Sequence, residues 1–259
     1  MHPEDNNILY AGYADIWKTT DQGDSWVKIS SINSNTQKFR SLAVAPSNPN
    51  VIYAADPYKI YKTEYGGGNW SEIGSGLPSE HITYIAVHPS NPDKVWVSLG
   101  GYNEHAVYES SDGGVSWQNI SEGLPKIPAN CIVRNKQEHQ TDHLYLGTEL
   151  GVFFKSGDEP WQLYSEGLPN VKIGEIEIYY DEQSPENSRL RAATYGRGLW
   201  ETPLTEVTTG VSALASQTQM RIYPNPASGI VTFVNPYHKT VRIKVSDISG
   251  KQIIDKQIT

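Results

Sequence analysis

The sequence predicts an all-β chain: a partial, open β-propeller of four-stranded blades over residues 1–202, a linker over 203–219, and a small β-sandwich-like module over 220–259. Three observations carry this. Tryptophans at Trp26, Trp70, Trp117 and Trp161 recur every 44 to 47 residues, the period of a propeller blade. Short apolar runs keep register with them, four to a unit. Sixteen Tyr and seven Trp stand against four Phe and two Met, a balance that suits strands better than helical cores.

The runs form four series, A to D. Series A is SLAVAP (Ser41–Pro46), YIAVHP (Tyr84–Pro89), CIVRN (Cys131–Asn135) and IEIYY (Ile176–Tyr180). Series B is ILYAG (Ile8–Gly12), VIYAA (Val51–Ala55), VWVSL (Val95–Leu99), HLYLG (His143–Gly147) and LRAAT (Leu190–Thr194). Series C is DIWKT (Asp15–Thr19), KIYKT (Lys59–Thr63), AVYES (Ala106–Ser110), GVFFK (Gly151–Lys155) and GLWET (Gly198–Thr202). Series D is short and starts at each tryptophan: WVKI, WSEI, WQNI and WQLY. Series A and B are nearly continuous apolar runs with small residues, the pattern of strands covered on both faces near a crowded axis. Series C carries charge and lies further out. SNPN and SNPD supply A to B turns in which proline and asparagine set the reversal, and GLP at Gly76, Gly123 and Gly167 marks the crossing to the next blade.

Between C and D lies a turn with its own sequence rule, SSDGGVSW (Ser110–Trp117), echoed by TTDQGDSW (Thr19–Trp26) and TEYGGGNW (Thr63–Trp70). Gly114 supplies a positive φ, Asp112 accepts backbone N–H groups, and Trp117 covers the hairpin base. A catalytic group is seldom needed once per blade, so the turn reads as structural. The pattern resembles the Asp-box, or BNR repeat, of sialidases, sortilin-type ectodomains and xyloglucanase-like glycoside hydrolases; the GLP and HPSNP spacers are most similar to the last group. The resemblance covers about residues 1–202, with full matches at Thr19, Asp21, Gly23 and Trp26 and at Ser110, Asp112, Gly114 and Trp117, and degenerate copies in TEYGGGNW and KSGDEPW. It implies a turn remote from the ligand site and a parent propeller of about seven blades. Here the count is three whole blades and two partial ones, because MHP aligns with the end of a strand A and the last unit stops at strand C. The expectation is a piece of a longer secreted protein.

Residues 220–259 add strands at Gly229–Val234, Thr240–Ser246 and Gln252–Ile258, with SDISGK as a hairpin turn. Tyr223-Pro224-Asn225-Pro226, then Gly229-Ile230-Val231, then Asp247-Ile248-Ser249-Gly250-Lys251 resemble the C-terminal sorting domain of type IX secretion cargo in Bacteroidetes. A later Gly-x-Tyr strand and basic final strand of that family are missing. The resemblance implies type IX machinery as a partner and a location outside the cell or on the outer-membrane surface.

Net charge of -8 and a pI near 5.4 argue against nucleic acid. No run of about eighteen apolar residues predicts a membrane span, no signal peptide is visible in MHPEDNN, and the single cysteine, Cys131, excludes an internal disulfide and reads as a buried small hydrophobe. No phosphate loop, catalytic triad or cofactor motif is present. His139 and His143 have ligand-like spacing in a polar A to B hairpin with no third ligand, so no metal is expected.

B to C and D to A connections of a propeller share one face, where ligands bind. Candidates there are Tyr13, Asp15, Asp56, Tyr58, Tyr102, Glu104, His105, Glu149, Tyr195 and Arg197. Tyrosines among carboxylates suit sugar rings and hydroxyls, although ordinary turn chemistry uses the same residues. Asp15 and Asp56 occupy equivalent positions in adjacent blades and could flank a glycosidic bond, but nothing singles them out. Sialidases, by resemblance, use three clustered arginines with a Tyr/Glu pair, and the arginines here show no such grouping. The leading expectation is a secreted or surface module that binds glycan or protein; the alternative is the C-terminal part of a polysaccharide-acting glycoside hydrolase.

Overall fold

Turn signals every few residues leave each apolar run too short for anything but a hairpin strand, and the computed structural model consists almost wholly of antiparallel hairpins. It describes residues 2–32, 38–205, 221–223, 232–234, 240–246 and 252–258. Chain contacts divide it into two units, Met1–Thr205 and Glu206–Thr259.

The first unit is an open β-propeller of five sheets. Blade 1 has β1 (Leu9–Gly12), β2 (Ile16–Thr19) and β3 (Val27–Lys28). Blade 2 has β4 (Ser41–Val44), β5 (Ile52–Ala55), β6 (Ile60–Thr63) and β7 (Ser71–Glu72). Blade 3 has β8 (Ile82–Val87), β9 (Val95–Leu99), β10 (Val107–Ser110) and β11 (Gln118–Asn119). Blade 4 has β12 (Ala129–Arg134), β13 (His143–Thr148), β14 (Gly151–Ser156) and β15 (Gln162–Leu163). Blade 5 has β16 (Ile173–Tyr179), β17 (Arg189–Thr194) and β18 (Gly198–Pro203), with one 3-10 turn at Pro185–Asn187. Strands in each blade are hydrogen-bonded in sequence order, and the strand A members β4, β8, β12 and β16 adjoin one another.

Each B strand serves two cores at once. Along β9, Val95, Val97 and Leu99 join Tyr53, Ala55 and Ile60 of blade 2, while Trp96 joins Ile132, Leu144 and Leu146 of blade 4. Along β13, Leu144 and Leu146 turn to blade 3 and Tyr145 to Ile173 and Ile176 of blade 5. Period-two alternation with both faces covered yields the continuous apolar run seen in the sequence. The same expectation for strand A is corrected: β4 and β8 are only half-buried. Strand A also starts earlier than the apolar runs suggest in blades 3 to 5. Bulges at Ile82/Tyr84, Ala129/Cys131 and Ile173/Glu175 shift the register and break the alternation there.

The turn between C and D is stitched together as its composition predicts. In one copy Gly114 N donates to Ser110 Oγ at 2.8 Å, Ser110 Oγ to Asp112 Oδ1 at 2.8 Å, and Ser116 N and Oγ to the two Asp112 oxygens at 2.9 and 2.6 Å. The copy at Thr19, Asp21, Gly23 and Ser25 repeats these bonds. Hydrogen bonds from the serine hydroxyls, Ser25 and Ser116, hold the Asp21 and Asp112 carboxyls down at about 2, below the ordinary 3.8. A depressed folded-state value favours the fold above pH 3.8 and loses that contribution as pH falls through about 2. The paired substitution Asp21→Asn with Asp112→Asn is therefore expected to flatten the acid limb of the unfolding midpoint between those values. An unchanged limb would place the acid sensitivity elsewhere.

The tryptophan has a reach that the sequence does not predict. Trp117 Nε1 donates to Ile73 O of the preceding blade at 2.8 Å, as Trp70 does to Ile29 O at 2.9 Å and Trp161 to Ile120 O at 2.7 Å. Trp26 bonds within its own turn, to Gly23 O at 3.1 Å, and is 40% exposed. Trp117→Phe is thus expected to cost about 1 kcal/mol through the lost inter-blade bond, and Trp26→Phe about half that or less; urea midpoints would compare them.

Cys131 is fully buried, as its alignment predicts, and burial pushes its thiol up to about 12. His143 opens β13 rather than lying in the hairpin, and its ring meets Phe154 edge-on at 5.0 Å. Pro203 ends β18, and Thr205 N donates to Tyr145 Oη at 2.9 Å, so the first three positions after Thr202 are tied to the propeller. The rest of the predicted linker falls outside the described residues.

In the second unit β19 (Arg221–Tyr223) pairs with β20 (Thr232–Val234), and β21 (Val241–Ser246) with β22 (Gln252–Ile258). The last three match the predicted strands; β19, which contains Tyr223, was not foreseen. Pro224, Asn225, Pro226, Asp247 and Gly250 lie outside the described residues. Among those described, no helix is long and apolar enough to cross a membrane.

Candidate functional site

B to C loops interlock with the D to A connections, which brings the two sets to one face. Phe39 N donates to Tyr13 O, Ile82 N to Pro57 O and Tyr195 N to Lys172 O, each at 2.8 Å. With their backbones pinned, the loop side chains at this face are free to project. Tyr13, Tyr58, Tyr102 and Tyr195 are 59, 55, 70 and 80% exposed. Four of the five B to C loops therefore present a phenol ring to solvent. The loop of blade 4 carries Glu149 instead, and Tyr102 Oη of the adjoining blade donates to Glu149 Oε2 at 2.6 Å. Lys172 Nζ stands 3.4 Å from the other Glu149 oxygen. Tyr58 Oη lies 2.7 Å from His81 Nε2.

The two aspartates serve their own loops. Asp56 is buried, and its Oδ1 accepts Tyr58 N and Lys59 N at 2.8 Å each, an Asx turn that presents Tyr58. Asp15 pairs with Lys28 at 2.6 Å and accepts Ser30 Oγ at 3.1 Å. Both carboxylates are thus engaged locally. His105 Nδ1 is 2.9 Å from Tyr108 Oη, and Trp200 Nε1 donates to the carbonyl oxygen of exposed Arg197 at 2.9 Å.

Blade 3 holds a cleft of about 380 Å³ at this face, between the loop Asn103–Ala106 and the crossing Asn119–Lys126. Glu104 is the single residue of the sequence-derived set that lines it. Lys126 Nζ bridges to Glu104 Oε2 at 2.9 Å, and the hydrogen bond and charge of Lys126 hold the Glu104 carboxyl below its ordinary value. Sequence reasoning missed Glu122 and Lys126 because candidates were taken from B to C loops alone. The signal was present: GLPK follows Glu122 in a D to A crossing that shares the same face.

A family model described as "Sortilin, neurotensin receptor 3" (Sortilin-Vps10) matches residues 14–150, more than half of the chain. The chain belongs to this family. A second model, the secretion system C-terminal sorting domain, matches residues 221–259, so the sortilin-type propeller carries a secretion tail and is a secreted or cell-surface protein. Solved propellers share its fold at low identity. An ancestral GH74 enzyme is 19% identical with a TM-score of 0.57, over 78% of this chain and 30% of that one. The GH74 xyloglucanase from Xanthomonas campestris is 13% identical with a TM-score of 0.59, over 82% and 38%. YCF48 from Cyanidioschyzon merolae is 16% identical with a TM-score of 0.50, over 80% and 66%. The sortilin-type chain spans about a third of the length of the two GH74 structures. A comparison with curated proteins gives no match.

Proposed function

We propose that this sortilin-type propeller is a glycan-binding module, released from or displayed at the cell surface by type IX secretion through its tail. The observation that carries the reading is the set of four solvent-facing tyrosines on the B to C loops of blades 1, 2, 3 and 5, Tyr13, Tyr58, Tyr102 and Tyr195. Phenol rings offer flat apolar faces at low entropic cost, with a hydroxyl for hydrogen bonding, which fits alternating apolar and polar faces of sugar rings. Asp15 and Asp56 are held by Lys28, Ser30 and backbone N–H groups, which favours binding over hydrolysis.

Tyr58→Ala with Tyr102→Ala is expected to weaken binding of the responsive polysaccharide about ten-fold, roughly 1 kcal/mol or less for each ring. A glycan array followed by calorimetry reads the loss, and a reducing-sugar assay on the same protein reads turnover. Release of oligosaccharides by the wild-type chain would replace this reading with that of a glycoside hydrolase part. Undiminished binding by the double variant would remove the tyrosines from the site.

A further inference from the structure

We infer that the blade 3 cleft is the specificity subsite of the loop face, that it takes an amino sugar with a free amine, and that Glu122 is the group that receives the ammonium. The inference rests on the glycan-binding reading and narrows it to one sugar class.

Size sets the first limit. About 380 Å³ lies at the small end of ligand clefts, room for a sugar unit or two and too little for a folded partner. One wall is apolar, from Ala106, Leu124 and Pro125, and suits the C–H face of a pyranose.

The polar wall decides the chemistry, because most of its groups are already spent. Asn103 Nδ2 donates to Glu80 Oε1 at 2.6 Å, and Asn103 Oδ1 accepts His105 N at 2.8 Å. Asn119 Nδ2 donates to Glu104 O at 3.1 Å, and Asn119 Oδ1 accepts Ser121 N at 2.9 Å. Ser121 Oγ accepts Ala106 N and Val107 N and donates to Val107 O. Lys126 is occupied by Glu104. Of the charged groups that line the cleft, Glu122 alone has no ion pair among the described residues. An ionised carboxylate only accepts hydrogen bonds. A ligand group that meets Glu122 must therefore donate, and an ammonium group donates and supplies the missing charge.

Charge selects in the same direction. Glu104 and Glu122 against Lys126 leave the cleft one negative charge in excess, on a chain whose net charge is -8. Uronic and sialic acids would bring a carboxylate against it, and like charges in contact penalise the wrong ligand. Neutral sugars are admitted with hydroxyl bonds alone.

Chitosan oligosaccharides and their N-acetylated chitin counterparts present the same rings with and without the amine. Titrated calorimetrically into the full chain below neutral pH, where the amine is charged, the chitosan form is expected to bind about five-fold more tightly. Glu122→Gln should abolish that preference, and Lys126→Ala, by uncovering Glu104, should enlarge it; added salt should narrow it. Both positions are at the surface, so neither change threatens the fold. Equal affinity for the two forms, or a preference that survives Glu122→Gln, overturns the inference. Binding of neutral glycans that needs Tyr58 and Tyr102 but ignores the amine overturns the subsite and keeps the wider reading; failure of every glycan to bind overturns both.

Discussion

Asp142→Ala is expected to lower the stability of the propeller by about 3 kcal/mol, because it leaves the buried Arg134 guanidinium without its carboxylate and breaks the tie to Lys94 of the preceding blade. Asp142 lies before β13 in blade 4. Its Oδ1 receives Arg134 Nε at 2.9 Å, and its Oδ2 faces Lys94 Nζ of blade 3 at 2.5 Å. Burial alone would raise the Asp142 carboxyl, but the hydrogen bonds and charges of Lys94 and Arg134 prevail and hold it below its ordinary value. The Arg134 side chain is only 4% exposed, so water cannot replace the lost partner. Two backbone bonds, to Asn135 O and Glu138 O at 2.8 Å each, hold it in place whether or not its charge is matched. His88 Nε2 lies 3.5 Å from the same carboxylate, yet burial and the nearby Arg134 charge lower its proton affinity. It does not stand in as a cation at neutral pH. Asp142→Asn keeps the shape and removes only charge, so its loss should be smaller. Urea unfolding followed by tryptophan fluorescence measures both, and a cost below about 1 kcal/mol for Asp142→Ala would mean that the cluster relaxes into water.

Gly114→Ala is expected to cost about 3 kcal/mol, and Gly23→Ala, at the equivalent place two blades earlier, about half as much. Both glycines have positive φ, +95° and +108°, where an alanine is strained by about 1 to 2 kcal/mol. Their surroundings differ. A methyl group on Gly114 would stand 2.9 Å from Cβ of Ile73 in blade 2, whereas one on Gly23 meets nothing nearer than the Trp26 ring at 3.9 Å. Only Gly114 therefore adds overpacking to backbone strain. Gly67 repeats the close approach against Ile29 of blade 1, at 2.6 Å from its Cβ. Equal costs at Gly114 and Gly23 would show that the turn conformation, and not the junction between blades, explains the glycine.

Much of this was legible in the sequence because each signal was local. Strand B announces itself by a run such as VWVSL, since both faces of β9 are covered, and the Asp-box by residues that bond within seven positions of one another. What lay beyond reach joins distant positions. Nothing in TEYGGGNW or SSDGGVSW reveals that the indole binds a carbonyl 41 or 44 residues earlier. Nor does HQTDH reveal that its aspartate meets Lys94. Bulges in β8, β12 and β16 disguised the first turns of those strands by shifting the alternation. At the loop face, residue types pointed to the tyrosines, but exposure separates Tyr102 from core-bound Tyr145, and the sequence of neither states which it is. The blade 3 cleft needed two loops to be seen side by side.

Every indole clasp in blades 2 to 4 reaches back to the unit that precedes it in the chain, and none waits for one that follows. A polypeptide wired in this way can lock each module as the next arrives, working from the N-terminus, with short loops to close and neighbouring energies that simply add. Export of an unfolded thread would leave it able to knit itself in the order of its emergence.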